Sequence, residues 1–146
     1  MKRVEERFEE NYGLTLLWRW RLKPGEKFTS ISRGDLNGDG FEEILAGSSE
    51  GKLYVFNPNG VKIWERDFES KVNSIWVSDV DGDDFLEIIA GGGNVIYILN
   101  ADGEEKAQYA MEASITQIIA LDSDRDNKME IAAISEDGSL SLLKFR

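Results

Sequence analysis

Oxygen-bearing side chains recur along this chain at a spacing that suits a hard cation. The run Asp35-Leu-Asn-Gly-Asp-Gly-Phe-Glu-Glu-Ile44 returns as Asp79-Val-Asp-Gly-Asp-Asp-Phe-Leu-Glu-Ile88 and again as Asp122-Ser-Asp-Arg-Asp-Asn-Lys-Met-Glu-Ile131. Calcium takes about six to eight oxygen ligands, and alternate residues of a tight loop can aim several carboxylates at one centre while a backbone carbonyl adds another. The first copy offers Asp35, Asn37, Asp39, the carbonyl of Phe41 and Glu43. The second offers Asp79, Asp81, Asp83, the Phe85 carbonyl and Glu87, and the third Asp122, Asp124, Asp126, the Lys128 carbonyl and Glu130. The sixth position must turn the chain sharply. Gly40 does so freely, and Asp84 and Asn127 are of the residue types that best tolerate a left-handed backbone.

Asp, Asn and Gly also build plain turns, so one such loop would say little. Three in register say more, because clustered carboxylates repel one another unless a counterion sits between them. The expectation is Ca2+ at three sites per chain, which would bring the formal charge from -11 to -5. The second site should bind most tightly, since Asn37 replaces a carboxylate in the first, and Arg125 and Asn127 replace both loop glycines in the third. Magnesium suits such a wrapped cage less well, because it prefers octahedral geometry and keeps its waters.

The remaining composition narrows the chemistry. Asp plus Glu number 28 against 17 for Lys plus Arg, a balance that repels phosphate backbones and anionic membranes, so nucleic acid is not an expected partner. The chain has no cysteine and no histidine, which removes disulfides, thiolate metal sites and the commonest general base. No apolar run reaches the roughly 18 residues of a membrane helix, and membrane insertion is not expected. The compartment stays open.

The loops need elements to hold them, and the repeat defines these. The three copies start 44 and 43 residues apart. In the first repeat, short strands are expected at 29–33, 43–47, 52–56 and 62–68, with the acidic loop between the first two. Asn59-Gly60, Asp102-Gly103 and Asp137-Gly138 are hairpin-turn pairs. Four antiparallel strands in a repeat of roughly 40 to 45 residues make a propeller blade, so the fold class is all-β. The expected layout is a short helix or tail over 1–13, an outer strand over 14–28, blade 1 over 29–71, blade 2 over 72–113, and blade 3 over 114–146 without its outer strand.

The stretch from Gly34 to Ser48, followed by Gly51-Lys-Leu-Tyr-Val-Phe56, resembles the FG-GAP or VCBS repeats of the integrin α-subunit propeller and of many microbial surface proteins. The resemblance covers residues 29 to 146. It implies that the acidic loop joins the first and second strands of a blade, and that a bound ion makes that hairpin rigid. The integrin version's Gly-Ala-Pro element is absent, with Ala46-Gly47-Ser48, Ala90-Gly91-Gly92 and Ala132-Ala133-Ile134 in its place, so integrin-like adhesion is not inferred.

Three blades fall short of the usual four to eight of a closed ring. Trp20 lies fifteen residues before Asp35, as Trp64 lies fifteen before Asp79, and Leu14 to Leu22 alternates as a strand with Leu16, Trp18, Trp20 and Leu22 on one face. That strand matches the one blade 3 lacks. The expectation is a head-to-tail homodimer forming a six-bladed ring, each N-terminal strand finishing the partner's last blade; an excised part of a longer propeller is the alternative. Functionally, a non-catalytic protein- or ligand-binding scaffold is expected. A glycan-binding lectin-like propeller with Trp76 as a stacking surface is the runner-up, and a fragment of a polysaccharide-active enzyme comes last.

Overall fold

The computed structural model describes residues 13–145. The helix or tail expected over residues 1–13 lies, but for Gly13, outside the described residues.

Period-two alternation of apolar residues, broken by Gly, Asn and Asp, gives eleven strands in three antiparallel sheets. The first sheet contains β1 (Phe28–Gly34), β2 (Glu43–Ser48), β3 (Lys52–Phe56) and β4 (Lys62–Asp67), in that order. The second contains β5 (Val72–Ser78), β6 (Glu87–Gly92), β7 (Val95–Asn100) and β8 (Glu105–Ala110). The third has β9 (Ile115–Leu121), β10 (Glu130–Ser135) and β11 (Leu140–Lys144), with β10 central. Three up-and-down sheets of four, four and three strands are consistent with propeller blades. The expected hairpin pairs fall between strands, and Gly60, Gly103 and Gly138 each take positive φ there.

The first strands of successive sheets lie side by side, β1 against β5 and β5 against β9, so the sheets fan out from a shared inner edge. Their faces are the core. Leu45, Leu53 and Val55 of the first sheet pack on Val72, Ile75, Ile88, Ala90 and Leu99 of the second. Ile89, Ile96 and Ile98 on the opposite face of the second sheet pack on Ile115, Ile118, Ile131 and Ala133 of the third. Central strands are buried on both faces, which explains continuous apolar runs such as Ile88-Ile89-Ala90.

Close approach at the inner edge depends on small residues. A Cβ built on Gly47 would meet the Val72 side chain at 2.6 Å, and one on Gly91 would meet Ile115 at 2.9 Å. Each inner strand also carries a one-residue bulge near its start. The ladders skip Thr29 in β1, Asn73 in β5 and Thr116 in β9. A bulge re-aims the side chain of the extra residue. The Thr29 hydroxyl donates to the Val72 carbonyl at 2.7 Å, and the Asn73 amide to the Ile115 carbonyl at 2.8 Å, each across to the next sheet.

The segment expected as an outer strand pairs with no sheet of this chain: residues 14–22 enter no ladder. They lie instead across the first sheet's free face, where Trp18 and Leu22 pack on a small cluster of Ala46, Tyr54 and Phe56. The indole N–H of Trp18 donates to the Pro58 carbonyl at 3.0 Å. An isolated segment forms contacts through its side chains alone, because a strand needs a neighbouring edge to receive its backbone donors.

Candidate metal centres

All three acidic loops join the first and second strands of a sheet and share one hydrogen-bond plan. In the first, Asp35 Oδ1 accepts from the Gly38 and Asp39 amides, and its Oδ2 from the Gly40 amide at 2.9 Å. In the second, Asp79 accepts in the same way from Gly82, Asp83 and Asp84. In the third, Asp122 accepts from Asp126 and Asn127. The fifth-position aspartates, Asp39, Asp83 and Asp126, each take the amide of the seventh residue at 2.9 Å: Phe41, Phe85 and Lys128. Positions four and six are left-handed in every copy, at Gly38 and Gly40, Gly82 and Asp84, and Arg125 and Asn127. The expectation at position six therefore stands; the second left-handed position was not anticipated, and Arg125 occupies it at φ 62°.

The ninth-position glutamates close each loop from beneath. Glu43, Glu87 and Glu130 start β2, β6 and β10 and are all buried. Each uses Oε1 to accept the amide of the second loop residue: Leu36 at 2.7 Å, Val80 at 2.8 Å and Ser123 at 2.8 Å. Glu130 Oε1 is also held by the Ser123 hydroxyl, while its Oε2 is buried with no hydrogen-bond partner. Oxygens of Asp35, Asp39 and Glu43 converge within 4.8 Å of one another, as do those of Asp79, Asp81, Asp83 and Glu87, and those of Asp122, Asp124 and Glu130. Asn37 accepts the Asp39 amide at 3.2 Å. Asp126 falls outside the third group and faces Lys144.

Two lysines that sequence reasoning missed reach into these clusters. Lys106, on β8, places Nζ 2.5 Å from Asp81 and 3.5 Å from Glu87. Lys144, opposite Glu130 in the β10–β11 ladder, sits 2.9 Å from Asp124 and 3.3 Å from Asp126. The hydrogen bond from Lys106 holds the Asp81 carboxyl below its usual range, and that from Lys144 does the same for Asp124. Burial has the opposite effect on Glu87, raising its pKa. The only signal for these lysines is cross-strand register, which is invisible to a search for local motifs.

Of the four tryptophans, Trp64 lies between the first two sheets and Trp76 is partly exposed on β5, in a groove lined by Ser30, Ile31 and Gln117. A wider cleft of about 540 Å3 runs beside the first two acidic loops, between Leu36, Trp64 and Phe85.

No family model matches the chain, and no curated protein matches it. Solved structures do. BBS1N, crystallised in complex with ARL6DN, aligns over 78% of this chain and 35% of its own, with a TM-score of 0.63 and 16% identity. BamB from Moraxella catarrhalis aligns over 71% of this chain and 30% of its own, at a TM-score of 0.52 and 22% identity. A chain of the Chaetomium thermophilum Polycomb Repressive Complex 2 bound to GSK126 aligns over 92% of this chain and 33% of its own, at a TM-score of 0.70 and 11% identity. The fold is β-propeller-like. This chain spans about a third of the length of these neighbours.

Proposed function

We propose that this chain is a calcium-binding β-propeller module of the FG-GAP/VCBS type, without catalytic activity of its own. It serves as a protein- or ligand-binding scaffold and works as a homodimer with exchanged N-terminal strands. The observation that carries the calcium reading is Glu130 Oε2, an unpartnered carboxylate oxygen buried beside Asp122 and Asp124. A buried, unsatisfied acceptor is costly, and a cation among those oxygens removes the cost.

The donor set fits a hard cation. Asp35, Asn37, Asp39 and Glu43, and their counterparts in the other two loops, offer oxygen alone, with carbonyls at Phe41, Phe85 and Lys128 available to complete the cage. A bound ion would tie the two strands flanking each loop, stabilising the fold rather than reacting. The scaffold role rests on a propeller-like fold and a site chemistry that lacks a nucleophile and a general base. BBS1N, a neighbour in fold, is itself seen in a protein complex.

Isothermal titration of chelator-treated protein with CaCl2, together with melting in calcium and in EDTA, tests the proposal. Saturable binding and a higher melting temperature in calcium are expected. Identical melting in both, with no heat of binding, would sink it.

A further inference from the structure

We infer that the third sheet's free face is a docking surface for the first sheet of a second copy of this chain, with Thr116 bonded to the partner's Phe28 carbonyl. This rests on the dimeric-propeller reading above and assigns its seam. The first evidence is burial at equivalent positions. Leu53, Ile96 and Leu140 occupy one repeat position, and Val55, Ile98 and Leu142 another. In the two internal joints these residues are 0–6% exposed, whereas Leu140 is 74% and Leu142 58% exposed. Ile119 and Ile134 extend the same apolar face.

The second piece of evidence is polar. The bulge residues Thr29 and Asn73 each bond the carbonyl of the residue that begins the next sheet's apolar face, Val72 and Ile115. Thr116 is the third member of the series, and within this chain its hydroxyl reaches only the Ile134 carbonyl of its own sheet, at 3.2 Å. The acceptor that continues the series is the counterpart of Val72 and Ile115, which is Phe28.

The third is the state of the first sheet's opposite face. Its outer half is covered by Trp18, Trp20 and Leu22, in the place where Trp64 of the first sheet covers the second. Its inner half, with Phe28 and Ile31, is exposed. The covered part matches an outer strand of a preceding blade, and the uncovered part matches the three strands that the third sheet supplies. One departure sets this joint apart. Where Gly47 meets Val72 and Gly91 meets Ile115, it brings Ile134 to Phe28, and the Phe28 ring is turned away onto Tyr54 and Phe56, at 5.8 and 6.4 Å.

Sedimentation equilibrium of the full chain at micromolar concentration should give twice 16.5 kDa. Leu142→Lys should weaken association at least 100-fold while leaving the circular dichroism and calcium titration unchanged, and Thr116→Val should weaken it roughly 3- to 10-fold. Val61→Lys, at an exposed loop position, should leave the dimer intact. Because the protein has no cysteine, the double variant Phe28→Cys/Ile134→Cys reports the seam directly, and a covalent dimer under oxidation is expected. A monomer that binds calcium would overturn the seam and spare the scaffold reading. A dimer indifferent to Leu142→Lys, or a ladder of open oligomers, would overturn it too.

Discussion

The indole N–H of Trp20 donates to the carbonyl oxygen of Gly60 at 2.8 Å, a bond spanning 40 residues of sequence. Gly60 is the turn counterpart of Gly103, whose own carbonyl is bonded at 2.9 Å by Arg66 of the preceding sheet and whose backbone lies against the Trp64 ring. Trp20 thus stands to the first sheet as the β4 side chains stand to the second. The amino-terminal segment is placed as an outer strand would be, although it has no ladder.

Removing residues 1–22 should therefore disturb assembly more than ion binding. Loss of dimer in sedimentation, with calcium titration retained, is the expected result; dimers that persist would argue against strand exchange. Trp20→Ala should act in the same direction and cost about 2 kcal/mol, less than a fully buried tryptophan because its ring is partly open to water.

Leu53 and Leu140 offer a paired measurement of burial. Leu53→Ala, in a closed joint, should destabilise the protein by about 3 kcal/mol in urea unfolding. Leu140→Ala should cost little in dilute monomer and approach the same figure as concentration rises and the face is covered. Equal costs at all concentrations would contradict a face that opens and closes.

The loops hold backbone strain that glycine can relieve. Arg125 and Asp84 are left-handed at φ 62° and 70° where other copies have glycine. Arg125→Gly should raise stability by about 1 kcal/mol and Asp84→Gly by less, because Asp tolerates the conformation better, measured in EDTA so that ion affinity does not contribute. Gly60→Ala should do the reverse, since its φ is 88° and an added Cβ would meet the Trp18 ring at 2.8 Å.

Tyr54 gives the pH dependence a visible marker. Burial, aided by Glu26 nearby, pushes its phenol up to about 12. A folded-state value above the unfolded one, about 10, means that the neutral ring stabilises the fold fully below pH 10, and that this contribution is lost as pH rises through 12. Absorbance at 295 nm should show a tyrosine titrating near 12 that disappears in Tyr54→Phe.

Much of the fold was readable because it repeats locally. The loop from Asp35 to Glu43 contains nearly all its own hydrogen-bond partners within nine residues, so types and spacing carry the geometry. Strand limits follow from the same repeat, and β2 and β3 fall where alternation places them. Reading failed where register between distant strands decides. Lys106 and Lys144 meet Asp81 and Asp124 only after β8 and β11 are set against their neighbours. The segment 14–22 has a strand's alternation, yet alternation cannot say whose edge receives it.

Those two lysines give ion loading a second effect. A divalent ion entering the second or third loop displaces a tethered ammonium, whereas the first loop has no lysine among its recorded ion-pair partners. Filling would then be graded, and each displaced ammonium swings free at the rim. The same event that quenches a knot of carboxylates also bares two mobile cations beside it, so the rim of the loaded protein would attract anions that the empty one repels.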